Sequence, residues 1–113
     1  MDLQIEALDA DFSTSPQLLP AQMAAAAAAG FKSVINNRPD GEGGVEQPAS
    51  AEIERAAAAA GLRYAYLPVV PTDIKPEDVA RMSELLDTLP KPVLAFCRSG
   101  ARAAKLYRLA TGG

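Results

Sequence analysis

The 113-residue sequence predicts an α/β fold, a mainly parallel central sheet flanked by helices. Three observations predict it. An alanine run, a glycine and a β-prone run follow one another twice, from Ala24 through Gly30 to Ile35 and from Ala56 through Gly61 to Leu67. Apolar Val79, Met82, Leu85, Leu86 and Leu89 recur at helical spacing. Finally, the apolar run Pro92 to Phe96 delivers the only cysteine, Cys97, into a glycine-bearing loop that opens another helical stretch. Strands alternating with helices are the pattern of layered α/β proteins.

In chain order, Asp11 to Thr14 reads as a short strand joining a sheet edge. Pro20 suits the first turn of the first helix, where a missing N–H costs nothing. Alanine is the best helix former, and Gly30 and Gly61 suit the left-handed position just past a helix end. The small side chains let both helices lie close on the sheet. The loop Asn36 to Ala49 is rich in Gly, Pro, Asn and Asp, and Ser50 is the expected N-cap of the second helix. Pro76 opens the third helix with Glu77 and Asp78 in its first turn, and Pro90 and Pro92 end it. After the strand Val93 to Phe96, the last helix runs from about Arg102 to Ala110 and closes on Thr111-Gly112-Gly113.

With 49% hydrophobic residues, the chain is expected to form one domain over residues 1–113. A net charge of -3 and scattered lysines and arginines argue against a nucleic-acid partner. No run approaches the ~18 to 20 apolar residues of a membrane span, and Met1 to Glu6 lacks the basic region of a signal peptide. Together with a lone cysteine, this predicts a cytoplasmic protein. The chain has no histidine, which excludes a Ser-His-Asp triad, a Cys-His pair and a His-ligated zinc on this chain. No metal and no organic cofactor are expected.

In parallel sheets ligands collect at the carboxyl ends of the strands, which here carry Asn36-Asn37-Arg38, Pro68 to Asp73 and Cys97 to Arg102. The loop Cys97-Arg98-Ser99-Gly100-Ala101-Arg102 is the expected active site. Its N–H groups, at a helix mouth, can turn toward an anion and favour the nucleophilic thiolate, while Arg102 adds a permanent charge. A buried structural cysteine at a strand end is the alternative.

The stretch Asn36-Asn37-Arg38-Pro39-Asp40-Gly41-Glu42, the alanine helix before Gly61, and Leu94 to Gly100 together resemble the beta-lactamase hydrolase-like, phosphatase-like bacterial domains. The resemblance implies a dual-specificity protein tyrosine phosphatase-like three-layer architecture. It also implies two reactions, because such domains are described as sulfurtransferases as well, and a persulfide dioxygenase of metallo-β-lactamase type as partner. Cysteine phosphatases carry Cys-x5-Arg, with His before the cysteine and Ser or Thr after the arginine. Here the loop is one residue shorter, and Phe96 and Ala103 stand at the flanking places. Cys-Arg-x-Gly-x-Arg is similar to the loop of rhodanese sulfurtransferases.

The leading expectation is therefore a sulfurtransferase. Cys97 would take sulfur from thiosulfate or a low-molecular-weight persulfide, become a persulfide, and pass the sulfur to a thiol or cyanide. Arg98, Ser99, Gly100, Ala101 and Arg102 would hold the anionic sulfur. The alternative is a cysteine phosphatase, with Cys97 as nucleophile, Arg102 clamping phosphate and Asp73 as general acid; a non-catalytic anion-binding module is the third reading. Asp73, just before a helix that begins near Pro76, is more often a turn or cap residue. Asn37 and Arg38 are read either as substrate contacts, with Arg38 gripping a carboxylate, or as turn chemistry. The Arg98 guanidinium is open between pocket and solvent.

Overall fold

The computed structural model describes residues 2–112; Met1 and Gly113, which enter the expected ends of the chain, lie outside the described residues. The elements are β1 (Glu6–Asp9), β2 (Phe12–Ser15), α1 (Met23–Ala28), β3 (Ser33–Asn36), α2 (Ser50–Ala59), β4 (Arg63–Tyr66), α3 (Pro76–Thr88), β5 (Val93–Phe96) and α4 (Ala101–Thr111). The sheet order is β1-β2-β5-β3-β4. All pairings are parallel except the β1–β2 hairpin.

Alternation along the strands separates two apolar layers. Val93, Ala95 and Cys97 share one face with Ile35, Met82, Leu85, Ala103 and Leu106, against α3 and α4. Leu94 and Phe96 point the other way, packing with Val34, Met23, Ala26, Ile53 and Ala57 against α1 and α2. Successive strand residues face opposite sides, so a four-residue strand serves both layers. Both alanine helices end as expected. Phe31 N–H donates to Ala26 O and Leu62 N–H to Ala57 O, the six-to-one bond of a Schellman ending.

Three local expectations need correcting. The strand expected at an edge, β2, is interior and fully buried, because the exposed β1 pairs with its free side. Pro20 opens a short 3-10 turn, Pro20–Gln22, before α1 begins. Ser50 is the first residue of α2, with no capping side chain at Ala49. Its N–H instead donates to the Asp40 carboxylate of the preceding loop, while its hydroxyl bonds to the Tyr64 hydroxyl.

The register places the site. Ser15, Phe96, Asn36 and Tyr66 lie in one row across the sheet. The loops that follow them therefore leave the same end of the sheet, side by side. No helix among the described residues is long and apolar enough to cross a membrane.

Candidate active site

Cys97 directly follows β5 on the α3–α4 face, 1% exposed, and lines a cleft of about 320 Å³ with Arg98, Ser99, Ala101, Arg102, Lys105, Pro71 and Ile74. The Gly100 N–H donates to Cys97 Sγ at 3.1 Å. Gly100 is in the left-handed region, φ +94°, and caps α4. That N–H stands at the N-terminus of an 11-residue helix, the end of a helix that attracts anions.

Arg102 is buried and reaches across to both neighbouring loops. Its Nη1 donates to Val69 O at 2.9 Å, Asn37 O at 3.3 Å and Glu42 Oε1 at 3.0 Å, and its Nη2 to Glu42 Oε2 at 3.0 Å. Its Nε is buried and has no partner among the described residues. Backbone bonds stitch the same loops together: Asn37 N–H to Phe96 O, Leu67 N–H to Asn36 O, Val69 N–H to Asn37 O and Gln17 N–H to Arg98 O.

Of the expected site residues, the structure gathers Cys97, Arg98, Ser99, Ala101 and Arg102 around the cleft, with the Gly100 N–H on the sulfur. The Arg98 side chain is exposed and lines the cleft rim. The remaining three residues stand apart from the cleft. Asn37 is 0% exposed, and its Nδ2 donates to Leu67 O, so it ties loops together from within. Arg38 meets its carboxylate inside the chain, as Nε donates to Glu42 Oε2 at 2.8 Å and Nη1 to Gln17 Oε1. Asp73 is in a turn, its N–H donating to Val70 O, and its carboxylate is 67% exposed, 3.9 Å from Lys75 Nζ. Pro71 and Ile74 of that segment, not Asp73, wall the cleft.

Sequence reasoning missed Glu42, Gln17 and Lys105. Glu42 bridges Arg38 and Arg102, and the hydrogen bonds from Arg102, then the one from Arg38, hold its carboxyl below the usual carboxylate range against the opposing effect of burial. The available signal was Gly43. A Cβ there would sit 2.7 Å from Arg38 Nη2, so only glycine lets the guanidinium come this close.

A profile of the phosphatase-like domain of beta-lactamase hydrolase-like proteins matches residues 4–113. The chain belongs to this family. A beta-lactamase hydrolase-like protein of Agrobacterium fabrum is 42% identical over 82 residues, 73% of this chain and 19% of the relative. This phosphatase-like domain thus spans about a fifth of the curated relatives it matches. A candidate phosphatase of Neisseria meningitidis, solved by crystallography, superposes with TM-score 0.82 at 37% identity, covering 89% of this chain and 71% of that one. A mutant form of Tk-PTP superposes with TM-score 0.64 at 17% identity, covering 85% and 61%, which shows the shared fold.

These likenesses overturn the sulfurtransferase expectation. It rested on the length of the cysteine loop, whereas the family and the solved neighbours over the whole domain are phosphatase-like. Two of the departures that favoured sulfur transfer are core positions. Phe96 and Ala103 are each 0% exposed in the two apolar layers, where a histidine or a hydroxyl would be buried.

Proposed function

We propose that the domain hydrolyses phosphate monoesters through a phosphocysteine at residue 97. The observation that carries this reading is the Gly100 N–H on Cys97 Sγ, with Arg102 lining the same cleft, in a phosphatase-like fold. In the first step the Cys97 thiolate attacks phosphorus, the bond to the ester oxygen breaks, and the departing oxygen takes a proton. Asp73, on the segment that walls the cleft, would supply that proton once substrate brings the segment inward. Water then attacks phosphorus and gives its proton back to the Asp73 carboxylate, the P–S bond breaks, phosphate leaves and the thiolate is restored.

The loop N–H groups and Arg102 stabilise charge on the transferring group, and Arg98 and Lys105 make the rim attractive to a phosphate-like anion. A reactive lone thiol persists best in a reducing compartment, which supports a cytoplasmic placement. The test is phosphate release from an aryl phosphate. The wild type is expected to turn over, Cys97→Ser to be inactive, and Arg102→Ala to lose activity mainly through weaker binding. Absence of phosphate release from the wild type would remove the reading.

A further inference from the structure

We infer that Glu42 is a positioning residue: it grips Arg102 by Nη1 and Nη2 and leaves the Nε edge of the guanidinium as the face offered to phosphate. The inference deepens the phosphatase reading and rests on it for the identity of the anion.

A guanidinium has five N–H donors in a fixed plane. In Arg102 the Nη1 pair is committed to Val69 O, Asn37 O and Glu42 Oε1, and Nη2 spends one N–H on Glu42 Oε2. The Nε–H and the second Nη2 N–H remain. They lie along one edge of the plane, at the spacing that meets two oxygens of a tetrahedral anion. Nε is buried and unpartnered, and a buried donor of this kind marks a place where a ligand acceptor belongs. Arg102 also lines the cleft at Cys97, and we place its free edge toward that cleft.

The alternative role for Glu42 is a plug, a carboxylate occupying the arginine until substrate displaces it. The surroundings favour a fixture. Glu42 accepts three hydrogen bonds from two guanidiniums, those of Arg102 and Arg38. Arg38 is itself anchored on Gln17 Oε1, and the Gln17 N–H donates to Arg98 O in the cysteine loop. The circuit from Arg98 through Gln17, Arg38 and Glu42 to Arg102 starts and ends beside Cys97. Gly43 leaves room for the Arg38 end of it. A displaceable plug would require breaking this circuit at two charged contacts.

The experiment measures how inorganic phosphate slows alkylation of Cys97 by iodoacetamide, in the wild type, Glu42→Gln and Arg38→Met, with circular dichroism to verify folding. Glu42→Gln is expected to need about tenfold more phosphate for the same protection, the effect of losing one charge-assisted contact. Arg38→Met, which loosens the carboxylate and leaves Arg102 in place, should fall between. In turnover of an aryl phosphate the loss should appear in KM more than in kcat. Equal or tighter phosphate protection in Glu42→Gln overturns the inference, as does a wild type that phosphate does not protect. If Glu42→Gln does not fold, the same comparison on Arg38→Met decides. Protection without turnover would count against the phosphatase reading alone and leave the positioning role standing.

Discussion

The Gly100 N–H sits 3.1 Å from Cys97 Sγ, and Gly100 attains that position with a φ of +94°. A Cβ at residue 100 would lie 3.4 Å from the Ser15 carbonyl, close to ordinary contact, so backbone strain and not collision sets the cost of a larger residue. Gly100→Ala should therefore destabilise by about 1–2 kcal/mol. Relaxation of the strain would turn the N–H from the sulfur, and Cys97 alkylation should slow. Urea unfolding and iodoacetamide kinetics check the two effects separately.

The alanine runs are packing devices, and α2 tests this within one turn. Ala57 is 0% exposed against the Val34–Phe96 face, whereas the adjacent Ala58 faces solvent. Ala57→Leu should cost about 1–3 kcal/mol through overpacking. Ala58→Leu should stay within about 0.5 kcal/mol of the wild type. Equal effects in denaturant titrations would contradict the close helix-on-sheet packing.

Asp73 offers a separation between stability and chemistry. Its pairing with Lys75 spans 3.9 Å between side chains more than half exposed, so Asp73→Asn should leave stability within about 0.5 kcal/mol. If the carboxyl protonates the departing oxygen, kcat for an alkyl phosphate should fall about 10²-fold or more. The loss should be far smaller for p-nitrophenyl phosphate, whose leaving group needs no proton. A uniform effect on both substrates would return Asp73 to the role of a turn residue.

Glu42 gives the fold a pH dependence of definite sign. Its carboxyl is held below its ordinary value of 4.5, chiefly by the Arg102 hydrogen bonds, so the unfolded chain takes up this proton more readily than the folded one. The contribution is complete above the ordinary value and is lost as pH falls through the lower, folded value. The stability difference between wild type and Glu42→Gln should therefore be constant from neutrality down to the ordinary value. Below it the difference should shrink. Chemical denaturation across that range reads the slope, and a difference that grows on acidification would contradict the ion pair.

The parts of this structure legible in the sequence are those written locally. Gly30 and Gly61 after alanine runs mark helix ends whose hydrogen bonds close within six residues, and Val93 to Phe96 announces a strand by its apolar run. β1 was not legible, because Glu6-Ala7-Leu8-Asp9 is largely exposed and pairs only along one edge. Ser50 was a reasonable cap by type, but Asp40, ten positions earlier in the chain, reached the helix N–H. The cysteine loop was found from spacing. Its arginine's partner Glu42 was not, since the two are 60 positions apart and meet only through the fold. Loop length misdirected the chemistry because one missing residue changes the ring of donors without changing the sheet, helices and neighbouring loops that carry it.

The most direct test of the account is intact mass after rapid acid quench of the enzyme with an aryl phosphate. Ala103 is a core residue and brings no hydroxyl to assist loss of the thiolate, so the intermediate should accumulate. The account predicts the gain of one phosphoryl group on the wild type, mapped to Cys97 and absent from Cys97→Ser. Phosphate release that persists in Cys97→Ser, or turnover with the phosphoryl group on another residue, would contradict it.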